Sequence, residues 1–357
     1  MSFFINVGID FCDLLYIFLV VNIYIFVSGG KTMGHISPLL GIILELRDKY
    51  DFIYFGLEHS MEESICKKYN ITFHKMNLTP FFRKNILKNF KTFYLICRER
   101  KKIVTQYKNY NVKAIVSSGG FVSVPLILSF KSKKKILLES NSDLGLANKI
   151  LSYFVKYIGV QFDSIRNKKS ILLGNPIKIF EPKFDHPAFY KKEKLILFVG
   201  GSNGAFDIVK LAFEFNKKYP NIKIFVITGD KYYDTFVFNK NAYVYKKIFE
   251  LSSVLDRFEL VVSRAGGCTI TELLLSNTAF VLIPSLNVSG NHQVHNAKHL
   301  AKYGVCEVIY ELDYDNDLLK IFGLLNNETK ILDMKKRQLK LQIKDSIKRV
   351  IDLIEKE

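Results

Sequence analysis

The chain has 357 residues, of which 48% are hydrophobic and 24% are charged, and its formal net charge is +18. This length accommodates two domains of ordinary size, and the composition excludes wholesale disorder. A net charge this positive points to an anionic partner such as nucleic acid, a membrane surface or an anionic substrate, although genomic bias toward AT-rich codons would also enrich lysine. Nucleic acid is not the expected partner, because the sequence has no RRM, KH, zinc-finger or helix-turn-helix signature.

The first 22 residues are predicted to form a hydrophobic extension that ends in the start of the first strand. The densest apolar run, residues 14–27, is shorter than the roughly 20 residues that a membrane-spanning helix requires. No basic region or small-residue cleavage site accompanies it, so a secretory signal is not expected. A weak membrane anchor, a disordered tail and an artefact of start-site choice remain open for residues 1–20. Residues 23–27 are predicted to be the first buried strand.

A glycine-rich turn follows this strand and leads into a helix predicted from about residue 38 to residue 49. The turn reads SGGKTMGH, from Ser28 to His35, and it has neither Walker spacing nor the dinucleotide-binding fingerprint. His35 is the best candidate for a general base, because an imidazole in a cleft has the pKa needed to take a hydroxyl proton near neutral pH. A histidine after a glycine turn is more often structural, so the residue alone leaves both roles open.

A basic amphipathic segment follows the strands predicted at residues 51–55 and 71–74. Within residues 81–102, apolar side chains recur at helical spacing and basic side chains lie between them; the apolar ones are Phe82, Ile86, Phe90, Phe93 and Cys97. Such a helix is typical of a protein that rests on anionic lipid. Packing of the apolar stripe on the sheet is the alternative. The candidates for membrane contact are Phe81, Phe82, Arg83, Lys84 and Lys88.

Two further strands of the first half end in glycine-rich or polar loops. The strand at residues 112–117 runs into SGGFVS, from Ser118 to Ser123, and the strand at 136–138 ends at Glu139-Ser140-Asn141. A helix is then predicted to open near residues 144–148. The polar stretch 178–194 is predicted to be a linker. The chain is thereby divided into a first domain, residues 23–177, and a second domain, residues 195–338.

The second domain repeats the pattern of strand, glycine turn and helix. A strand at residues 195–199 runs into GGSNGA, strands at 224–227 and 242–245 follow, and a strand at 260–262 ends at SRAGG, before a helix near residue 269. Free amides and the helix dipole at such an N-terminus suit an anionic group. Glu272, in the first turns, is placed to accept hydrogen bonds from paired sugar hydroxyls. An ordinary strand–turn–helix junction is the alternative.

A polar loop after the strand at residues 279–283 completes the predicted pocket. It carries Asn291, His292, Gln293 and Asn296 toward the carboxyl ends of the strands, where ligands bind in open α/β sheets. The spacing therefore predicts a nucleotide-type pocket with a loop that recognises a sugar.

The C-terminal region and the cysteines are expected to be structural. Asp313, Asp315 and Asp317 lack the glycine and distal glutamate of a calcium loop, so they are predicted to cap a helix beginning near residue 318, and no metal site is predicted. Residues from about 330 onward have a lysine-rich helical pattern, and residues 339–357 are predicted to be a terminal helix that packs across the domains. Five cysteines without a CxxC motif or metal-ligand spacing predict a reduced, cytosolic chain with buried thiols.

Five phrases of the sequence resemble, in order, the motifs of the MurG family, whose members transfer N-acetylglucosamine from UDP-N-acetylglucosamine to a lipid-linked muramyl peptide. These phrases are GGKTMGHISP, GGFVSVP, ESN with GLAN, GGSNGA, and SRAGGCTITE with NHQVHNA. The resemblance covers about residues 23–310, and Lys31 stands where the family often has glycine. The alternation of strands and helices predicts an α/β fold. The resemblance implies the GT-B type, with two Rossmann-like domains facing a cleft.

The resemblance also implies roles for individual residues. The catalytic group would comprise His35, which takes the proton of the acceptor hydroxyl, together with Glu139 and Asn141. Contacts with the donor are implied for Thr32, Gly34, Asn148, Lys178, Ser202, Asn203, Gly204, Ile248, Arg264, Gly266, Gly267, Thr269, Glu272, His292, Gln293 and Asn296. Contacts with the acceptor and its diphosphate are implied for Gly29, Gly30, Gly119, Gly120, Phe121 and Ser123.

The implied function is an inverting, metal-independent transfer from UDP-N-acetylglucosamine to a polyprenyl-diphosphate-linked acceptor, without a cofactor. The expected location is the cytoplasmic face of the cell membrane, on the anionic inner leaflet. A glycolipid synthase acting on diacylglycerol is the main alternative, although it would be expected to lose the ESN and GLAN phrases. A UDP-sugar 2-epimerase and a non-catalytic membrane or regulatory partner are further alternatives.

Overall fold

Two parallel β-sheets form the frame of the molecule. The computed structural model describes residues 22–81, 86–131, 133–201, 204–248, 250–286 and 289–356. The first sheet has seven strands in the order β3-β2-β1-β4-β5-β6-β7. Its strands are β1 Ile23–Ser28, β2 Asp51–Leu57, β3 Thr72–Met76, β4 Asn111–Ser117, β5 Lys134–Glu139, β6 Tyr157–Val160 and β7 Ser170–Leu172. The order reverses between β1 and β4, which is a switch point of the kind where ligands bind.

The second sheet repeats this plan with six strands in the order β10-β9-β8-β11-β12-β13. Its strands are β8 Leu195–Val199, β9 Lys223–Ile227, β10 Ala242–Tyr245, β11 Leu260–Ser263, β12 Ala279–Leu282 and β13 Glu307–Val308. The central strand β8 is fully buried, as expected for a strand covered by helices on both faces. The α/β class predicted from the alternation of apolar runs and helical patterns is confirmed.

Helices cover both faces of each sheet. Those that follow the first-sheet strands are α1 Met33–Leu46, α2 Met61–Lys68, α3 Ile86–Tyr107, α4 Val124–Ser129 and α5 Leu146–Leu151. The later helices are α6 Phe206–Lys218, α7 Gly267–Ser276, α8 His292–Ala301, α9 Tyr314–Leu325, α10 Glu328–Gln338 and α11 Ser346–Glu355. On the first sheet, α3, α4 and α5 share one apolar core, while α1 and α11 pack on the opposite face.

The predicted start of the first helix was wrong. Helix α1 begins at Met33, because the backbone of Thr32 is extended and Thr32 occupies the N-cap position. Pro38 lies inside the helix rather than at its start, where its missing N–H removes one backbone hydrogen bond. The glycine-rich phrase therefore continues into a helical turn that carries His35.

The C-terminal stretch forms two helices instead of one long one. Helix α10 ends at Gln338, and α11 begins eight residues later and returns to the first sheet. There Val350 and Ile354 are fully buried beside Leu39 and Ile42 of α1. Asp313 caps α9 as predicted, with its side chain accepting a hydrogen bond from the Asn316 amide. That helix begins at Tyr314, earlier than expected.

The prediction of buried thiols holds for only two cysteines. Cys66 and Cys306 are buried, Cys268 is half-buried and Cys97 is exposed. Cys12 and the rest of the hydrophobic extension lie outside the described residues. Cys97 is exposed because its face of α3 points away from the sheet, on which Leu95 and Ile96 pack.

Close backbone contact between α1 and the end of the first domain makes Gly41 a sensitive position. A Cβ added to Gly41 would lie 2.2 Å from the carbonyl oxygen of Pro176. We expect Gly41→Ala to lower the free energy of unfolding by about 1–3 kcal/mol, because packed backbone cannot move away freely. Calorimetry should show a lower Tm for this variant.

Gly323→Ala is the matched control for this prediction. Gly323 lies within α9 with open space around its Cα, so alanine should leave Tm unchanged or raise it, since alanine favours a helix by about 1 kcal/mol over glycine. Equal Tm values for the two variants would contradict a tight contact at Gly41.

Candidate active site in the interdomain cleft

The candidate site lies where the carboxyl ends of the two sheets meet. The loop after β5 contacts the loops after β11 and β12: the carbonyl of Ser140 lies 2.2 Å from the position that a Cβ on Gly267 would occupy. Asp143 and His295 form an ion pair across the same boundary. The sequence motifs of the two domains therefore lie close together in space, on opposite walls of a cleft.

His35 is positioned by the second glycine loop. Its Nδ1 lies 2.8 Å from the carbonyl oxygen of Ser118, so Nδ1 carries the proton and donates to that carbonyl. In the neutral imidazole this leaves Nε2 as the acceptor. Nε2 lies 3.9 Å from the position of a Cβ on Gly120, and it faces the loop between β4 and α4. The geometry suits Nε2 for accepting a proton.

Glu139 is the centre of a buried hydrogen-bond network. One carboxylate oxygen accepts from the backbone and side-chain nitrogens of Asn141 at 3.0 and 2.9 Å. The other accepts from the Gly145 amide at 3.1 Å and from Asn148 Nδ2 at 2.7 Å. Asn148 Oδ1 in turn accepts from the Gly120 amide at 3.3 Å. With four donors, Glu139 orders the loops around His35 and holds Asn141 and Asn148 in place.

Asn296 joins the two walls of the cleft. Its Oδ1 accepts from the Ser142 amide at 2.8 Å, and its Nδ2 donates to Asn141 Oδ1 at 3.1 Å and to the Ala265 carbonyl at 3.0 Å. The side chain is fully buried. Gln293 is also engaged, because its Oε1 accepts from the Ser285 amide at 2.8 Å. His292 begins α8 beside them. Asn296 thus spans the cleft in this structure, a role that the sequence pattern did not indicate.

The glycine turn before α7 has one open and one covered residue. A Cβ on Gly266 would meet only Thr269 Oγ1, at 3.8 Å, whereas Gly267 is covered by Ser140. Gly266 and Thr269 therefore line the accessible part of the helix N-terminus. Gly267 has no side chain, and this allows the backbones of the two domains to approach closely.

Arg264 is held by a residue that sequence analysis missed. Its guanidinium donates to both carboxylate oxygens of Asp207, at 2.5 and 2.6 Å, and to the Ile283 carbonyl at 3.0 Å. Asp207 lies in the first turn of α6. The ion pair ties together the loops after β8, β11 and β12, so Arg264 positions the loops that were expected to bind the donor. An acidic residue in a first turn is common, and it carried no signal of this pairing.

The other residues expected to contact the donor are divided between the two domains. Lys178 pairs with Glu45 at 3.4 Å, and Ile248 packs against the core of the second domain. Gly204 has a positive φ, and a Cβ there would lie 2.1 Å from the Thr228 carbonyl. Thr32 occupies the N-cap position of α1 without a side-chain capping hydrogen bond, and the Gly34 carbonyl accepts from Cys268 Sγ at 3.5 Å. Ser202 and Asn203 lie outside the described residues.

Glu272 lies in α7 where neighbouring atoms displace water from its carboxyl group, although the residue keeps some exposed surface. Because desolvation disfavours the charged form, it raises the pKa of Glu272 to about 7. A carboxyl group in this range changes its charge near neutral pH.

The two glycine loops of the first domain pack on each other. A Cβ on Gly29 would lie 1.8 Å from Ser118 Oγ, and one on Gly119 would lie 2.0 Å from Asn148 Oδ1. Ser123 Oγ donates to the carbonyls of Ser28 and Gly119, at 3.0 and 2.8 Å. Ser123 is therefore committed to holding the loops together. A Cβ on Gly30 would meet the carboxylate of Glu62.

Helices α3 and α5 expose aromatic and aliphatic side chains. The alternative that Phe90, Phe93 and Cys97 pack on the sheet is not what the structure has, because Leu95, Ile96 and Ile103 form the buried face of α3. Phe90 is 72% exposed and Tyr153, just after α5, is 82% exposed. We call this set the aromatic surface: Phe81, Phe90, Phe93, Tyr94, Leu146, Ile150, Tyr153 and Phe154. Helix α4 contacts both α3 and α5.

Not all of the predicted membrane-contact residues can be placed. Phe82, Arg83 and Lys84 lie outside the described residues, and only the backbone of Lys88 is described, within α3. Among the helices of the described ranges, none is both long and apolar enough to cross a membrane.

Comparisons with known proteins give one consistent family. Residues 25–160 match the Glycosyltransferase family 28 N-terminal domain, and residues 195–350 match the Glycosyltransferase family 28 C-terminal domain. A protein of Bacillus licheniformis is 30% identical over 92% of this chain and 97% of its own length, and one of Finegoldia magna is 31% identical over 92% and 96%. Both are named UDP-N-acetylglucosamine--N-acetylmuramyl-(pentapeptide) pyrophosphoryl-undecaprenol N-acetylglucosamine transferase.

Solved structures share the fold. Acinetobacter baumannii MurG superposes with a TM-score of 0.74 at 22% identity, covering 94% of this chain and all of that one. A putative UDP-N-acetylglucosamine 2-epimerase from Listeria monocytogenes gives a TM-score of 0.68 at 11% identity, covering 92% and 95%. At these identities, the likeness concerns architecture alone.

The raised pKa of Glu272 predicts a pH-dependent affinity for UDP-N-acetylglucosamine. Below pH 7 a proton neutralises the carboxyl group, while above pH 7 the group is ionised and suits the role that the resemblance implies for it, accepting hydrogen bonds from the ribose hydroxyls. We expect binding about five- to tenfold tighter at pH 8 than at pH 6, since ionisation rises roughly from one tenth to nine tenths. Titration calorimetry at both values measures this change. Glu272→Gln should remove the pH dependence, and an unchanged profile in that variant would assign it to another group.

Proposed function

The chain belongs to the MurG family of glycosyltransferases, and on that premise we propose that it transfers N-acetylglucosamine from UDP-N-acetylglucosamine to an undecaprenyl-diphosphate-linked muramyl peptide. The acceptor hydroxyl belongs to the muramyl sugar, and the product serves peptidoglycan synthesis. The fold is of the GT-B type, as expected. The glycolipid-synthase alternative is not favoured, because the relatives carry the muramyl-peptide name.

The observation that carries the mechanism is the hydrogen bond between His35 Nδ1 and the Ser118 carbonyl. With the proton fixed on Nδ1, Nε2 takes the proton of the acceptor hydroxyl as its oxygen attacks the anomeric carbon of the donor sugar. The bond from that carbon to the UDP oxygen breaks, and configuration inverts because attack and departure occur on opposite faces. Loops ordered by Glu139 hold the imidazole in position.

The second domain stabilises the departing UDP. Negative charge develops on the diphosphate oxygen, and the open N-terminus of α7 at Gly266 and Thr269 presents amides and a positive dipole end to it. The pair of Arg264 and Asp207 fixes this turn relative to the loops after β8 and β12. Glu272, farther along α7, binds the ribose hydroxyls.

The aromatic surface faces the anionic inner leaflet in this proposal. Aromatic side chains suit the boundary between water and lipid, and lysines and arginines around them attract anionic headgroups. Lys149 lies on α5 itself, beside Leu146 and Ile150. Docking on the cytoplasmic face of the membrane places the cleft beside a lipid-linked acceptor.

Transfer of labelled sugar to a soluble lipid I analogue tests both the proposed reaction and the role of His35 as general base. Wild-type protein should form product, and His35→Ala should lower kcat by about 100- to 10,000-fold, the usual contribution of a general base. Affinity for UDP-N-acetylglucosamine should stay within about twofold, because His35 acts on the acceptor. His59→Asn, at an exposed histidine in the loop between β2 and α2, is the control.

Two outcomes would change the assignment. Wild-type protein that binds UDP-N-acetylglucosamine but modifies only diacylglycerol would establish the glycolipid alternative. A His35→Ala variant with near-normal kcat would move the base to another residue.

Sedimentation with anionic vesicles tests the aromatic surface. Phe93→Asp and Tyr153→Asp should each lower vesicle affinity by about tenfold or more, because each removes an aromatic side chain from lipid and adds negative charge. Val237→Asp is the control, since Val237 is 92% exposed in the second domain. Equal losses in all three variants would show that exposure alone, and not this surface, governs binding.

A further inference from the structure

Lys31 adopts a backbone conformation that side-chain-bearing residues rarely take. Its φ is +74°, in the left-handed region that favours glycine. A buried carboxylate stabilises this conformation, because the Lys31 amide donates to Glu62 Oε2 at 3.2 Å and Glu62 is fully buried. Glu62 also accepts from the Leu57 amide at 3.2 Å. The hydrogen bond to Glu62 thus stabilises a lysine at a position where glycine would adopt the same φ without strain.

The Lys31 side chain extends across the cleft wall to the second glycine loop. Its Nζ lies 4.9 Å from the centroid of the Phe121 ring, within range of a cation–π contact. The adjoining residue, Gly120, is the one that faces His35 Nε2. The ammonium group and the proposed base therefore lie at the same edge of the first sheet, on either side of one loop.

Phe121 links this cation to the side of the molecule that bears the aromatic surface. It packs against the apolar core that contains Leu95 of α3 and Leu151 of α5, whereas α1 and α11 lie on the opposite face of the sheet. The path from His35 to the aromatic surface therefore passes the loop on which Lys31 rests.

We propose that Lys31 binds the diphosphate of the lipid-linked acceptor, an inference that rests on the proposed function. A polyprenyl-diphosphate-linked sugar has three parts in a line. Its chain lies in the bilayer at the aromatic surface, and its reacting hydroxyl lies at His35. The diphosphate must then lie between them, where the Lys31 ammonium is.

The contact with Phe121 prepares the ammonium group for this task. A ring face attracts the cation and restricts its motion without neutralising its charge. The side chain has therefore lost much of its conformational entropy before the diphosphate binds, which strengthens binding. In the proposed mechanism the diphosphate of the donor is bound on the other wall of the cleft, so the position of Lys31, and not its charge alone, directs it to the acceptor.

Steady-state kinetics of three variants separate this role from a structural one. Lys31→Met and Lys31→Gly should each raise the KM for the lipid acceptor about tenfold, the effect of losing one charge-assisted contact. The KM for UDP-N-acetylglucosamine and the kcat at saturation should change less than about twofold. Lys31→Arg should retain most of the acceptor affinity. Lys31→Gly should also keep or raise Tm, since glycine accepts the positive φ.

Direct binding of farnesyl diphosphate distinguishes failure of this inference from failure of the proposed function. Lys31→Met should bind it about tenfold more weakly than wild type. The loss should be smaller for farnesyl monophosphate. Lys108→Met, at an exposed lysine just before β4 and hence at the opposite edge of the sheet, is the charge-matched control.

Each outcome is decisive. Equal binding by wild type and Lys31→Met, or a loss equal to that in Lys108→Met, overturns the role of Lys31. So does a Lys31→Met variant whose defect lies in the KM for the donor. If wild type transfers no sugar to the acceptor but farnesyl diphosphate binding still depends on Lys31, the anion site stands and the transferase proposal falls.

Discussion

The contact between Ser140 and the start of α7 is the constraint on which the cleft depends. One wall of the cleft belongs to a sheet of the first domain and the other to a sheet of the second, and the Gly267 backbone approaches the Ser140 carbonyl as closely as only glycine allows. The Asn296 side chain then joins the Asn141 side chain and the Ser142 backbone amide to the Ala265 carbonyl. Catalytic geometry therefore depends on backbone contact and one buried amide, in addition to the residues that touch substrate.

Division of labour between the domains follows from this arrangement. In the proposed mechanism, the first domain supplies the base His35, whose proton is held on Nδ1, and the cation of Lys31 on a loop with positive φ. The second domain supplies a helix N-terminus and a carboxyl group whose charge changes near neutral pH. Because a single cleft must hold two substrates that both carry a diphosphate, placing separate positive groups on opposite walls keeps donor and acceptor distinct.

The central strand β8 has its predicted bounds, because a parallel strand buried on both faces is a continuous apolar run. The half-buried edge strand β10 also has its predicted bounds. Short edge strands such as β7, with three residues, carry no such signal. For α3 the helix was predicted, but its apolar stripe was left open to lipid contact or sheet packing, because a second apolar face with Leu95 lies beside the one with Phe93. The pair of Asp207 and Arg264 and the contacts of Asn296 with the loop after β5 join residues far apart in sequence, so no local pattern reveals them. The motif residues were found through resemblance, and their roles remain proposals.

The return of α11 to the first sheet has a consequence for synthesis of the protein. Val350 and Ile354 belong to the apolar core beside α1, although more than 170 residues of chain, including the second domain, separate them from β7. Domains usually fold in order as they leave the ribosome. Here the first domain emerges early with part of one core face uncovered, and it must stay in that state while the second domain is translated. Completion of the acceptor half is therefore coupled to completion of the donor half, which guards against a half-made enzyme that occupies lipid acceptors without a donor site.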